Sequence, residues 1–280
     1  YSNSKLKYGK QVLKRPKMTC IIGGKCSDGV VLIADRKSVD LDTGLCDSDV
    51  DKLFIFHKDS FYYPIVIGSA GRAELDKKFK DEALDTLRRM SSMQATHNFK
   101  VQGPSDTDFN AMISGTIYPY SNMSENNTGK EVILTPYISK LEDIVKKYKR
   151  EYSSQPFDVL FAAQIQYKGA VLFYIPRDGV SDKIDKFKVI GSGEIPANVF
   201  LKSTDPSNMT MEQFAKWGYF IIKYIEEKGI DNYVGVGQYK PQIYFIPNQG
   251  HLGQAQAQFL DKCEASKKIM QENLEALLPA

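Results

Sequence analysis

A hydroxyl, a carboxylate and an amine stand at the ends of three apolar runs. Thr19 opens TCIIGGKC, Asp35 closes VVLIAD, and Lys52 immediately precedes LFIF. Such a set could carry out nucleophilic acyl transfer, in which a threonine hydroxyl, a weak nucleophile, needs a base to take its proton. Each residue alone has a plainer reading. Threonine at a strand start is an ordinary β-former. Asp35-Arg36-Lys37 is a charge cluster at a strand end, Lys52 suits a strand edge, and Gly68 marks a close approach of backbones. Metal chemistry has less to build on. Cys20, Cys26, Cys46 and Cys263 form no C-x-x-C pair, and His57, His97 and His251 are scattered, which argues against the usual zinc spacings. Cys20 and Cys26 lie among strand residues and read as small buried hydrophobes. No metal and no cofactor is expected.

These residues must be positioned by the elements around them. Asp28-Gly29, between the first two apolar runs, reads as the turn of a β-hairpin. A second strand pair follows in LFIF (53–56) and IVIG (65–68). Gly71 opens a helix whose apolar positions Leu75, Phe79, Ala83, Leu84, Leu87 and Met90 recur every three or four residues. Residues 91–130 carry Gly, Pro, Ser, Asn and Thr and predict a loop long enough to be functional or mobile. A second helix is expected to start with Thr135 as N-cap and Pro136 in the first turn.

Strands at 157–166, 170–175 and near 186–190 come next, then a short helix over 195–202. Thr210 and Gln213 have capping-box spacing for a longer helix. Strands around 233–237 and 242–246 precede a C-terminal helix. Strands and helices arrive in blocks rather than in alternation. This predicts an α+β fold, a four-layer α–β–β–α sandwich of two antiparallel sheets flanked by helices.

Charge narrows the partners. Six of the 37 basic side chains lie in residues 1–18 with no acid among them, so the remaining 31 face 34 acidic ones. The basic character belongs to that leader, and the body gives no electrostatic reason to expect nucleic acid. No apolar run approaches the ~20 residues of a membrane helix, and the leader lacks the apolar stretch of a secretory signal. The expected setting is cytoplasmic, with no membrane partner.

The stretch MTCIIGGKCSDGVVLIADRK, followed by DKLFIF and VIGSAGRAEL, resembles the opening strands and first helix of the β-type 20S proteasome subunit family, members of the N-terminal-nucleophile (Ntn) hydrolases. The order of elements agrees along most of the chain, and the motif is specific to about residue 75. The resemblance implies a proteasome-like hydrolase domain over 19–280 behind a leader or extension, 1–18. It implies a ring of like or related subunits and an N-terminal threonine that cleaves peptide bonds in peptides or unfolded proteins. The apolar stripes after Gly71 and Thr135 would supply the ring contacts.

Carried over residue by residue, Thr19 occupies the nucleophile position and Asp35 that of the acid which orients the catalytic lysine, Lys52. Gly68 matches the glycine whose N–H forms the oxyanion hole, and Ser192 with Asp231 the polar pair that supports the threonine amine. Lys37, on the same face as Asp35, Val39 and Val66 fall at substrate-binding positions, Val66 as the floor of the pocket for the residue before the cut. A free α-amine of near-neutral pKa can serve as the base. Lys52 would lower the hydroxyl pKa, and the Gly68 N–H would stabilise the oxyanion, where one lost donor costs ~3 kcal/mol.

Three positions depart from the family pattern. Met18 replaces the glycine expected before the nucleophile, Val234 the serine expected three residues after Asp231, and Val39 a substrate-aligning threonine. Two other readings therefore stand beside the peptidase: a catalytically silent ring or scaffold subunit that keeps its leader, and an amidohydrolase or peptide ligase acting on a specific small amide.

Overall fold

The computed structural model describes residues 19–39, 46–47, 49–56, 65–101, 131–152, 157–165, 169–176, 178–249 and 251–277. The expectations for the leader 1–18, and for the loop beyond residue 101, lie outside the described residues. The chain opens on the hairpin β1 (Cys20–Lys25) and β2 (Gly29–Ala34), paired antiparallel with Ile22 opposite Ile33. Asp28 secures its turn from both sides. Its carboxylate accepts the Met211 N–H at 2.7 Å and its carbonyl the Asn248 N–H at 2.8 Å.

A short pair, β3 (Ser38–Val39) with β4 (Cys46–Asp47), follows. Then come β5 (Leu53–Phe56), β6 (Ile65–Ala70), α1 (Ala73–Val101) and α2 (Glu131–Glu151). The middle of the chain forms β7 (Asp158–Ile165), β8 (Gly169–Ile175), β9 (Asp182–Ile184) and β10 (Phe187–Gly191). The remainder is α3 (Glu194–Leu201), α4 (Met211–Glu227), β11 (Gln242–Pro247), β12 (Gly253–Gln254) and α5 (Ala257–Leu277).

Two five-stranded antiparallel sheets result, in the orders β10-β1-β2-β11-β12 and β5-β6-β7-β8-β9. An antiparallel strand usually alternates apolar and polar residues because one face meets water. Here β2 and β6 are buried at every position, so both faces of each sheet are covered. Alternation still sorts the side chains. Ile21, Val30 and Leu32 point into a core shared with Leu53, Leu160 and Leu172 of the opposite sheet. Their neighbours Ile22, Val31 and Ile33 point outward against Phe214, Ile221 and Cys263 of α4 and α5. On the far side, Phe54, Ile67 and Phe161 pack on Phe79 of α1 and Leu141 of α2. The layers thus run helix, sheet, sheet, helix.

Four local expectations change. Helix α1 continues to Val101 instead of ending near residue 90, since 91–101 holds no Gly or Pro and the breakers Gly103-Pro104 come later. Helix α2 begins at Glu131 and carries Pro136 inside it, so Thr135 is not its N-cap. The apolar stripes of both helices, expected to face other subunits, are spent on the sheet below them, with Leu75, Phe79, Ala83, Leu87, Leu141 and Val145 all in that core. Residues 233–237 form no strand, because their N–H groups are drawn largely to side chains. Glu226 accepts those of Val236 and Gly237. The capping box at Thr210 and Gln213 is present as read, with both reciprocal bonds made. Among the described residues no helix is long and apolar enough to cross a membrane.

Candidate functional site

Thr19 immediately precedes β1, a strand with neighbours on both sides, and is fully buried. Asp35 sits just past the end of the partner strand β2, where the hairpin register brings it back beside the start of β1. Its N–H donates to the Cys20 carbonyl at 3.0 Å, and its Oδ1 accepts the Cys20 N–H at 2.8 Å. The same oxygen accepts Lys52 Nζ at 2.8 Å, an ion pair with neither side chain more than 5% exposed. Its Oδ2 accepts the Gly235 N–H at 3.3 Å. Burial pushes the Asp35 carboxyl above its ordinary range, while Lys52 and the two N–H groups draw it back.

Lys52 is held from the other sheet. The Gln242 side chain, from β11, accepts the N–H of Lys52 at 3.1 Å and of Leu53 at 2.9 Å, and returns a bond to the Leu53 carbonyl at 2.9 Å. One amide therefore fixes the entry to β5 against the first sheet. Burial raises the Cys20 thiol well above its usual value, with the Asp35 carboxylate adding to it, so the residue beside Thr19 is an unreactive thiol.

The segment Gly191-Ser192-Gly193 closes over Thr19. Gly193 donates its N–H to the Thr19 carbonyl at 3.3 Å. Gly191 has φ +101, and a Cβ added there would lie 1.9 Å from the Thr19 oxygen. Both conformation and contact demand glycine. Gly191→Ala is expected to cost at least ~1–3 kcal/mol, the range for a strained non-glycine backbone, and to shift Thr19. Urea unfolding of the variant beside the parent measures this.

Thr19 and Lys52 border a cavity of about 390 Å³ whose wall includes Ser38, Val50, Ser69 and Asp76. The structure brings Thr19, Asp35, Lys52 and the Ser192 segment together. Ser192 Oγ is buried without a hydrogen-bond partner among the described residues. Gly68 lies mid-sheet between Leu53 and Leu160, and Ser69, one residue on, reaches the cavity wall. Asp231 braces the turn that supplies Gly235, its carboxylate accepting the Tyr233 N–H at 2.8 Å. Two expected binding residues stand apart. Lys37 turns outward to the Asn232 carbonyl at 2.7 Å, because the Gly235 carbonyl accepts both its N–H and that of Arg36. Val66 points into the core between the sheets and does not border the cavity. Val39 pairs with Cys46 through its backbone. Among the described residues no three His, Cys, Asp or Glu side chains are grouped to hold a metal ion.

Sequence reasoning missed two residues here. Gln242 had a signal, since it is a polar residue opening the apolar strand QIYFIP. Asp76 had none. Its carboxyl is enclosed beside Lys52 and bonded to the Ser69 hydroxyl, and burial pushes its pKa up to about 8. Between the ordinary 3.8 and about 8, the native chain holds a proton that the unfolded chain has released. Its contribution to stability therefore falls as pH rises through that window. Asp76→Asn removes this dependence, so the melting temperature of the variant relative to the parent is expected to rise between pH 4.5 and pH 8.

Comparison with known proteins supports the fold. No protein-family model and no curated protein matches this chain. Solved structures do. Anbu, described as an ancestral beta-subunit, from Yersinia bercovieri superposes with a TM-score of 0.62 at 12% identity over 94% of this chain and 98% of that one. Anbu from Hyphomicrobium sp. strain MC1 gives 0.62 at 13%, covering 94% and 99%. A helical assembly of the Anbu complex from Pseudomonas aeruginosa gives 0.61 at 12%, covering 94% and 98%. At such identity the likeness is one of fold. It also corrects the identification suggested by residues 18–75. The chain is not assigned to the 20S proteasome subunit family, because no family model supports that and the structures compared above are Anbu proteins.

Proposed function

We propose that this chain is an amide-bond hydrolase that uses Thr19 as its nucleophile after the bond between Met18 and Thr19 is cut. The observation that carries the reading is the buried Asp35 carboxylate, which ties the residue after Thr19 to the Lys52 ammonium at 2.8 Å on each side. In this mechanism Thr19 Oγ attacks the substrate carbonyl and passes its proton to the Thr19 α-amine. The Lys52 charge favours the ionising hydroxyl, and backbone N–H on the cavity wall at the end of β6, at Ser69 to Gly71, receives the oxyanion. Collapse expels the amine half of the substrate with that proton, leaving an ester on Thr19. Water, deprotonated by the same amine, releases the acid and restores the hydroxyl. The Ser192 hydroxyl, at the segment that closes over Thr19, and Asp231, through the 231–235 turn, hold the amine end in place.

The substrate is a peptide, and a cavity of about 390 Å³ takes the side chain next to the cut bond. That volume falls in the small-ligand range, so a specific small amide would also fit. Like subunits assemble around this site in a ring or helical array, as the Pseudomonas Anbu does in helical form. The reduced Cys20, Cys26 and Cys263 suit the cytoplasm.

A silent subunit is the second reading, favoured by the full burial of Thr19. Intact mass before and after treatment with a peptide boronate separates the two. The hydrolase gives a chain that begins at Thr19 and carries the boronate on it. A chain still joined across 18–19, with no adduct and no peptide turnover, sinks the proposal.

A further inference from the structure

Asp76, Lys77 and Lys80 share one wall of the Thr19 cavity, all three from the first turns of α1. The other charged groups facing this wall are already matched. Lys52 is paired with Asp35 at 2.8 Å, and Asp49 and Asp51 both meet Arg36, at 2.5 and 3.1 Å. Lys80 Nζ lies 5.7 Å from the ring centre of Phe54, another wall residue. Asp76 is the exception. The Ser69 hydroxyl bonds its carboxyl, yet its Oδ1 is enclosed with no hydrogen-bond partner among the described residues. A buried polar oxygen without a partner carries a desolvation cost, which protonation of the carboxyl lowers, and Asp76 itself lines the cavity.

We propose that this wall selects substrates in which the side chain next to the cleaved bond ends in a carboxylate, with Asp76 donating its acid proton to it and Lys77 and Lys80 supplying the charge. The inference rests on the acyl-transfer reading of the same cavity. An acid–carboxylate pair makes a short, charge-assisted bond, and the two ammonium groups offset the added negative charge. Burial holds Asp76 protonated up to about pH 8, despite the pull of Lys52. Above that pH it becomes an anion, and an acidic side chain is repelled.

The test uses four fluorogenic peptides that differ only in Glu, Gln, Lys or Leu before the cut, assayed on the full active protein. The Glu peptide is expected to have a kcat/KM about tenfold above Gln at pH 6.5, the advantage of a charged over a neutral hydrogen bond. It should lose that lead over Gln by pH 9. Asp76→Asn keeps a donor, so the Glu preference persists but its fall with pH disappears. Asp76→Ala loses the preference, and Lys80→Ala weakens it severalfold. A Glu-to-Gln ratio unmoved by Asp76→Ala, or a preference for Lys, overturns the proposal.

A second arm separates this from failure of the hydrolase reading. Product peptides ending in Glu or Gln are titrated into the Thr19→Ala chain and followed by fluorescence anisotropy. Selective Glu binding that depends on Asp76 upholds the wall even where nothing is hydrolysed. Equal binding, or none, overturns it.

Discussion

Thr19→Ala is expected to abolish amide hydrolysis, with a loss of kcat approaching the ~10⁶-fold seen when a nucleophile is removed from a site that works as a unit. The same substitution should leave the 18–19 bond intact, because the hydroxyl proposed to attack the substrate is the one proposed to open that bond as well. The two effects are read separately, by turnover of a fluorogenic peptide and by intact mass. Stability should change little in comparison. Thr19 contributes its carbonyl to Gly193, and that backbone bond survives the substitution. A buried threonine reduced to alanine falls in the ordinary ~0.5–3 kcal/mol range for point substitutions. Lost turnover in a chain with a near-parental melting temperature would assign the chemistry to the hydroxyl. Unchanged turnover would remove Thr19 from the mechanism.

Breaking the Asp35–Lys52 pair should have the largest effect on the fold itself. Lys52→Met leaves the Asp35 carboxyl buried, with only the N–H groups of Cys20 and Gly235 beside it. Removing one partner of a buried pair costs ~3–5 kcal/mol, whereas replacing both by apolar groups of similar size is often close to neutral. The double substitution Asp35→Leu with Lys52→Met should therefore lose much less than the sum of the single losses. Urea unfolding of the four proteins in this cycle measures the coupling. All three variants should lack hydrolysis, since the amine proposed to favour the ionised Thr19 hydroxyl, or the carboxylate that aims it, is gone. Strict additivity in stability would mean that Asp35 and Lys52 act independently, contrary to the 2.8 Å contact.

Much of the local structure was legible because it depends on neighbours in the chain. The turn at Asp28-Gly29 and the capping box at Thr210 are short-range patterns, and both appear as read. The 3–4 spacing of Leu75, Phe79, Ala83 and Leu87 identified a buried helical face, and that face is buried. Its partner was misjudged. Periodicity says that a stripe is covered, not what covers it, and here the sheet does so instead of a second subunit. The family assignment failed for a related reason. A motif over some 57 residues matched one family's opening, while the full fold matches Anbu at 12–13% identity. Burial pattern specifies such a fold more strongly than residue identity does.

By itself the sequence determined the α+β class, the strand ends that carry Thr19, Asp35 and Lys52, and the glycines around Ser192. Each follows from hydrophobic period or from a residue's own backbone preference. Tertiary structure alone decided that Lys52 reaches Asp35, that Gln242 spans the sheets to hold it there, and that Lys37 and Val66 turn elsewhere. It also turned Asp76, three residues into an ordinary helix, into an enclosed acid on the cavity that Thr19 borders. The physical reason is common to all of these. Desolvation and pairing depend on what lies across a gap of a few ångströms, and the residues that meet there are up to 200 positions apart in the chain.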